Sequence, residues 1–284
     1  MSRLHVRVFE LPKEGNRREE YEDAWAYDEE TCRLAVADGA SDAFESRLWA
    51  RALVRSFVRE PPPLEDRVRW EDMVRWLESS IEEWRARIDW ERLPWYAEEK
   101  ARRGAFSTLI GLTFAWSSSN AAQDAIFPGH WRALAIGDTC LFQVRGDAVI
   151  VRFPVEQAAD FGTAPPLLST RPDYNRRSLE ALQTRSGECR PGDLFILATD
   201  ALAAWFLEEL EAGEQPWQRL EKLTPGRFTR MVEHLRWKGR MRNDDVTLML
   251  GWVVGQRKEG ILVGADAAQK ATNCTPRRDR HVCN

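Results

Sequence analysis

The feature that most constrains this chain is the repeated placement of acidic residues at the ends of short apolar segments. Five acidic motifs adjoin apolar runs of strand length, at Glu22-Asp23, Asp38, Asp138, Asp200 and Asp244. A strand end holds a carboxylate at a fixed place near the rim of a sheet, and carboxylates gathered there repel one another unless cations compensate. The pattern therefore predicts sheets whose edges share one acidic site.

The donor chemistry of this acidic set favours hard divalent cations. Mg²⁺ and Mn²⁺ prefer carboxylate, carbonyl and water ligands. The four histidines form no HxH or HExxH arrangement, so the sequence disfavours a histidine-based zinc site. The five cysteines form no CxxC pair and are interpreted as reduced structural thiols. A lone Asp-Gly after a strand is most often a turn, and only the ordered set of motifs points to metal.

The order of predicted elements indicates an α+β fold in which helices cover sheets. Apolar alternation and short apolar runs predict strands near residues 4–8, 34–37, 107–116, 131–136, 141–144, 148–153, 194–198 and 246–254. Helical periodicity predicts helices over 42–58, 70–88, 201–210 and 225–237. Residues 155–190 are predicted to be irregular with one short helix. We expect one domain over residues 1–254 and a disordered tail over 255–284.

Composition excludes several functional classes. The net charge of -4 and the absence of a long Lys/Arg block in the main body argue against nucleic-acid binding. No segment approaches the roughly 20 apolar residues that cross a bilayer, and the N-terminus lacks the apolar core of a signal peptide. The sequence thus predicts a cytoplasmic protein without membrane contact, and it does not specify an oligomeric state.

Five motifs carry a family resemblance when they are taken in chain order. They are Arg18-x-x-x-Glu22-Asp23, Val36-Ala-Asp38-Gly39, Ile136-Gly-Asp138-Thr139, Ala198-Thr-Asp200-Ala201 and Asp244-Asp245-Val246-Thr247. Together they resemble the protein phosphatase 2C (PPM) family, in its bacterial form, over roughly residues 5–254. The resemblance implies an α-β-β-α sandwich, in which two antiparallel sheets are flanked by helices.

The resemblance also implies a role for each site residue. Asp38 would bridge two Mn²⁺ or Mg²⁺ ions, and the Gly39 carbonyl would bind one of them. Asp200 and Asp244 would complete the shell of the other ion. Glu22 and Asp23 would act through metal-bound water. Asp138 would lie at the position of a third ion, and Arg18 would bind the substrate phosphate.

The activity implied by the resemblance is the hydrolysis of phosphoserine and phosphothreonine in proteins. Two closely spaced ions lower the pKa of a bridging water, and the resulting hydroxide attacks phosphorus in line. The substrate would be a phosphoprotein, and the enzyme would oppose a Ser/Thr kinase. Taken outside its motif, Arg18 would instead be interpreted as a surface ion pair with Glu20 or Glu22.

Departures from the family pattern leave alternatives open. The loop Asp38-Gly39-Ala40-Ser41-Asp42 lacks two of the family's glycines and has no histidine to act as general acid. A metal-bound water, Ser41 or solvent would then protonate the leaving group. The family's Gly-Asp-Ser-Arg motif reads Gly137-Asp138-Thr139-Cys140 here, and the loss of its basic residue would weaken the third site. One alternative function is a regulatory module that binds phosphoproteins with little or no turnover. Another is a two-metal nuclease, which the chain's acidity disfavours.

Overall fold

The computed structural model of the chain describes residues 3–64, 68–116 and 129–255. The predicted disordered tail lies outside these ranges from residue 256 onward. The strands within them are β1 (Leu4–Leu11), β2 (Ala24–Asp28), β3 (Arg33–Ala37), β4 (Phe106–Ser107), β5 (Leu109–Trp116), β6 (Gly129–Ile136), β7 (Cys140–Arg145), β8 (Ala148–Phe153), β9 (Leu168–Ser169), β10 (Gln183–Cys189), β11 (Leu194–Ala198) and β12 (Val246–Val253). The helices are α1 (Ser46–Arg59), α2 (Trp70–Arg85), α3 (Trp95–Arg103), α4 (Pro172–Glu180), α5 (Asp200–Glu211), α6 (Pro216–Glu221) and α7 (Pro225–Trp237).

Two five-stranded antiparallel sheets form the centre of the structure. The first has the order β1-β12-β11-β7-β8, and the second has the order β10-β6-β5-β3-β2. Strand β12 lies inside the first sheet, where it pairs with β1 on one side and β11 on the other. Because both faces of β12 are covered, its sequence is a nearly continuous apolar run rather than an alternating one.

The sheets pack against each other and carry helices on their outer faces. Between the sheets, side chains from both form one core that includes Leu34, Ile110, Leu141, Leu197 and Met249. Helices α5, α6 and α7 cover the first sheet, and helices α1 and α2 cover the second. The predicted α-β-β-α sandwich is confirmed.

Helix α1 shows how the apolar pattern sets a buried face. Its buried residues Trp49, Leu53 and Phe57 are spaced four apart and therefore lie on one side of the helix. The helix begins at Ser46 rather than at residue 42, because the chain before it forms a loop in which Glu45 has a left-handed backbone, with φ of 50°.

No helix in the described ranges is both long and apolar enough to cross a bilayer.

The segment predicted to be irregular contains more regular structure than the sequence pattern indicates. It holds the short helix α4, as expected, and also the strand β10, which was not predicted. Among the described strands β10 pairs with β6 alone, at the edge of the second sheet, and most of its residues are exposed. An exposed edge strand needs no apolar alternation, so its polar sequence, Gln-Thr-Arg-Ser-Gly-Glu-Cys, carried no strand signal. Helices α3 and α6 were likewise not predicted.

Candidate functional site

Asp38 is held at the end of β3 by hydrogen bonds to Ser107 and Thr108, which lie at the end of β4 and directly before β5. Its amide N–H donates to the Thr108 hydroxyl over 3.0 Å. Its carbonyl oxygen accepts from the Thr108 amide at 2.9 Å and from the Ser107 hydroxyl at 2.8 Å. With its backbone fixed on both sides, the half-buried Asp38 side chain has a defined position beside the ends of two strands.

Gly39 allows the segment that carries Glu22 to approach the Asp38 strand. A Cβ atom at position 39 would lie 2.8 Å from the Glu22 carbonyl oxygen and 3.0 Å from backbone and side-chain atoms of Ser46. Both neighbours are restrained by backbone structure, so a larger residue cannot be accommodated without a shift of the chain. This close contact brings two of the acidic motifs together.

Asp23 is a buried carboxylate with one satisfied oxygen and one unsatisfied oxygen. Its Oδ2 accepts hydrogen bonds from Thr247 Oγ1 at 2.8 Å, Thr199 Oγ1 at 3.1 Å and the Tyr21 hydroxyl at 3.4 Å. Its Oδ1 is buried, and none of the described residues forms a hydrogen bond with it. Burial raises the pKa of Asp23 well above its ordinary value, and the negative charge of Asp245 raises it further. A buried oxygen without a donor is the kind of atom that a cation satisfies.

Asp200 is the first residue of α5, and its carboxylate pairs with an arginine side chain. Its Oδ2 forms an ion pair with the guanidinium of Arg242, which precedes β12 in the chain. Its Oδ1 accepts the amide N–H of Ala201. Burial raises the pKa of Asp200, Arg242 lowers it, and the nearby charge of Asp244 raises it again. Asp200 and Asp244 are therefore close enough for their charges to interact.

Asp138 follows a glycine turn that packs against the same strand as Asp38. Gly137 has φ of +98°, and a Cβ atom there would lie 2.5 Å from Thr108 Cγ2, so only glycine fits the turn. Burial, followed by the charge of Asp200, raises the pKa of Asp138 to about 6. Its neighbour Cys140 is a buried thiol whose pKa burial also raises, as expected for a structural cysteine.

The electrostatics of Asp38 show that the structure brings the predicted carboxylates together. Burial raises the pKa of Asp38 well above its ordinary value. Four negative charges raise it further, and in order of decreasing effect they belong to Asp23, Asp200, Asp244 and Asp138. These residues lie beside the ends of different strands of both sheets and at the start of α5. We call Asp23, Asp38, Asp138, Asp200 and Asp244 the carboxylate cluster.

Glu22 lies at the rim of the cluster and depends on a residue that the sequence interpretation did not single out. Its amide N–H donates to Asp245 Oδ2 at 2.7 Å, and Asp245 Oδ1 accepts the Lys13 amide at 2.8 Å. Asp245 thus ties both ends of the segment 13–22 to the start of β12. The pKa of Glu22 is raised, first by burial, while a hydrogen bond with Ser41 opposes the rise. The adjacent pair Asp244-Asp245 was the only sequence signal for this anchor.

Arg18 is the predicted site residue that the structure does not bring into the carboxylate cluster. Its side chain is 82% exposed and pairs with Glu10, Nη2 to Oε1, over 2.7 Å, rather than with Glu20 or Glu22. Glu10 also accepts the Trp25 indole N–H at 3.0 Å. Arg18 lines a groove of about 470 Å³ between β1 and α7, together with aromatic side chains that include Tyr21 and Trp25.

The altered loop after Gly39 places a hydroxyl and an ammonium near the cluster rim. Lys13 Nζ donates to Ser41 Oγ at 3.2 Å, and both side chains are partly or fully exposed. No sequence pattern indicated Lys13. The contact leaves Ser41 within reach of both Lys13 and Glu22.

The residues present fit a divalent metal in their chemistry. The cluster supplies hard oxygen donors with unbalanced negative charge, and Asp23 Oδ1 is buried without a partner. Two features do not match a formed metal site. Arg242 already binds one Asp200 oxygen. Within the described ranges, moreover, no three or more His, Cys, Asp or Glu side chains are arranged so that they could hold an ion.

Comparison with solved structures places the fold among known phosphatases. The chain matches PppA, described as a key regulatory component of T6SS in Pseudomonas aeruginosa, with a TM-score of 0.54, 19% identity and coverage of 88% of this chain and 98% of that one. It matches the Mycobacterium tuberculosis serine/threonine phosphatase PstP/Ppp with a TM-score of 0.52, 13% identity and coverage of 89% and 99%. The photosystem II phosphatase PBCP matches with a TM-score of 0.53, 13% identity and coverage of 88% and 98%. At these identities the likeness shows a shared fold.

Comparison with sequences gives the family. No curated protein matches the chain significantly. The sequence profile described as protein phosphatase 2C matches residues 14–244, which is most of the chain and includes the predicted site residues from Arg18 to Asp244. The chain therefore belongs to the protein phosphatase 2C family.

Proposed function

We propose that this protein hydrolyses phosphoserine and phosphothreonine in phosphoproteins with the help of bound Mn²⁺ or Mg²⁺. The observation that carries the proposal is the convergence of the carboxylate cluster on Asp38 from separate strand ends and one helix start. Mutually repelling buried carboxylates are costly in the absence of cations. A family of phosphoprotein phosphatases supplies the reaction that such cations would serve. The proposed catalytic domain is residues 1–254.

Several residues would hold the ions. Asp38, the Gly39 carbonyl, Asp200 and Asp244 would bind two of them directly. Glu22 and Asp23 would act through water, and Asp138 would bind a third. When bound, the ions supply a water of lowered pKa and positive charge beside the phosphoryl group.

The residues around the cluster prepare these ligands. Thr199 and Thr247 orient Asp23 by donating to one oxygen and leaving the other free. Thr108 fixes the backbone of Asp38 through paired hydrogen bonds. Asp245 ties the Glu22 segment to β12. Side chains locked in this way hold ligands in position before a cation arrives.

Arg18 would bind the substrate phosphate after it leaves Glu10. The planar guanidinium suits bidentate contact with phosphate oxygens. Its present ion pair is exposed, and exposed pairs contribute only about 0–1 kcal/mol, so a change of partner costs little. The proposed substrate is a protein phosphorylated by an opposing Ser/Thr kinase.

A second candidate function is the binding of phosphoproteins with little or no hydrolysis. The specific observation in its favour is the ion pair of Arg242 with Asp200, because a guanidinium at a ligand position balances charge without providing metal chemistry. The altered loop after Gly39 also favours it.

Hydrolysis of p-nitrophenyl phosphate and of a phosphothreonine peptide distinguishes the two. We expect turnover with Mn²⁺ or Mg²⁺, none with EDTA, and loss of turnover in Asp38→Asn. The matched control is Asp147→Asn, which alters an exposed aspartate in the β7–β8 turn and should keep wild-type activity. If folded wild-type protein shows no metal-dependent turnover of either substrate, the hydrolase proposal is wrong, and phosphopeptide binding becomes the function to measure.

A further inference from the structure

Three arginines at the end of α7 and in the connection from α7 to β12 contact other parts of the protein. Arg236, near the end of α7, donates to the Pro12 carbonyl at 3.0 Å and to the Asp244 carbonyl. Arg240 pairs with Glu209 of α5 at 2.8 Å. The first two contacts fasten the ends of this connection to the body of the protein. Of these arginines, Arg242 pairs with the side-chain carboxylate of a predicted metal ligand, Asp200, whereas Arg236 contacts Asp244 through its main-chain carbonyl.

Arg242 balances part of the charge of the carboxylate cluster. Its guanidinium pairs with Asp200 Oδ2, and its positive charge also acts on Asp244 and Asp138. The Arg242 side chain is 57% exposed, whereas the Asp200 side chain is 12% exposed. The guanidinium therefore reaches the cluster from the solvent side and has room to swing away without disturbing the core.

We infer that Arg242 is a built-in competitor of the divalent cation for Asp200, so that metal binding at this residue requires the guanidinium to leave. Both Asp200 oxygens are already engaged, one by the Ala201 amide and the other by Arg242. A cation that takes Asp200 as a ligand meets a like charge at the same oxygen. Arg242 would then be either paired with Asp200 or displaced by the ion. Metal affinity would therefore depend on how readily the segment 238–245 lets the Arg242 side chain move away.

This inference rests on the proposed function, because it assumes that a divalent ion binds the cluster. It predicts that the wild-type protein binds Mn²⁺ more weakly than its ligand set allows. An affinity reduced by a competing contact recovers when that contact is removed. Because the pair is partly exposed, we expect the Mn²⁺ dissociation constant to fall by about two- to fivefold when Arg242 is replaced.

The test is calorimetric titration of the full chain with Mn²⁺, free of phosphate and of other divalent ions. Arg242→Ala removes the competitor, and Arg242→Gln keeps a shorter polar side chain without charge. Arg240→Ala is the matched control, since it deletes a neighbouring arginine whose partner lies outside the cluster. We expect tighter Mn²⁺ binding in both Arg242 variants and wild-type affinity in Arg240→Ala. Circular dichroism checks that each variant is folded.

Three results would overturn the inference. Unchanged affinity in both Arg242 variants would mean that the guanidinium does not compete. Weaker affinity would mean that Arg242 instead positions Asp200 for the ion. Absence of Mn²⁺ binding in the wild type and in every variant would mean that the protein does not bind this ion, and the proposed metal-dependent function would also be wrong. In the first two cases metal-dependent turnover by the wild-type enzyme would still stand, so failure of the inference and failure of the proposed function are distinguishable.

Discussion

Asp138→Asn should make the metal-free protein more stable at neutral and alkaline pH. The reason is that the fold disfavours the ionised form of this buried carboxyl, first through burial and then through the charge of Asp200. Asparagine has nearly the same shape and no charge. The substitution therefore removes an electrostatic penalty while it leaves the packing at the end of β6 nearly unchanged.

The size of the effect follows from the pKa of Asp138. That pKa rises from its ordinary value of 3.8 to about 6 on folding, and a tenfold change in proton affinity corresponds to about 1.4 kcal/mol. A pKa raised by folding means that stability is complete below the unfolded-state value and declines as pH rises through the folded-state value. The expected gain in the free energy of unfolding for Asp138→Asn is thus about 3 kcal/mol at pH 8 and about half as large at pH 5.

Urea denaturation in EDTA at the two pH values measures this gain. Saturating Mn²⁺ should reduce it, since a bound cation compensates the charge that the substitution removes. A variant less stable than wild type, or equally stabilised at pH 5 and pH 8, would show that the Asp138 carboxylate is not electrostatically strained in the folded protein.

Two further substitutions test the support of the cluster. Thr247→Val removes the 2.8 Å hydrogen bond to buried Asp23 with little change in volume. It should lower the free energy of unfolding by about 1–3 kcal/mol and weaken Mn²⁺ binding, and thermal denaturation with and without Mn²⁺ measures both effects. Unchanged Mn²⁺ affinity would mean that Thr247 does not orient Asp23 for the ion. Gly39→Ala places a methyl group 2.8 Å from the Glu22 carbonyl oxygen, and urea titration should show a loss of about 1–3 kcal/mol, whereas no loss would mean that the two segments separate freely.

The fold could be predicted wherever apolar periodicity reported burial. The runs at β11 and β12 are buried on both faces and are unmistakable in the sequence. β10 escaped prediction because an exposed edge strand is stabilised by hydrogen bonds to β6 rather than by side-chain burial. The start of α1 was misplaced because the left-handed Glu45 that ends the preceding loop has no sequence signature.

The acidic residues of the candidate site could be predicted from the sequence, but the partners of its arginine side chains could not. Strand ends fix where Asp38 and Asp200 lie, so order along the chain was enough to place them together. Arginine side chains are long, and their partners depend on the tertiary structure. The motif that contains Arg18 therefore did not reveal its pairing with Glu10, and nothing in the loop before β12 marked Arg242 as a partner of Asp200.

The carboxylate cluster and the arginine that contacts it are linked by electrostatics. A cluster of buried and half-buried carboxylates destabilises the fold that contains it, and the ionised Asp138 alone is expected to cost about 3 kcal/mol at pH 8. A protein that retains such a cluster must balance its charge in every state that it populates. Arg242 supplies part of that balance in the metal-free structure, and divalent ions would supply more of it in the active enzyme. If both cations use Asp200, metal-free stability and metal affinity must change in opposite directions when Arg242 is replaced, and measuring the two together tests this coupling.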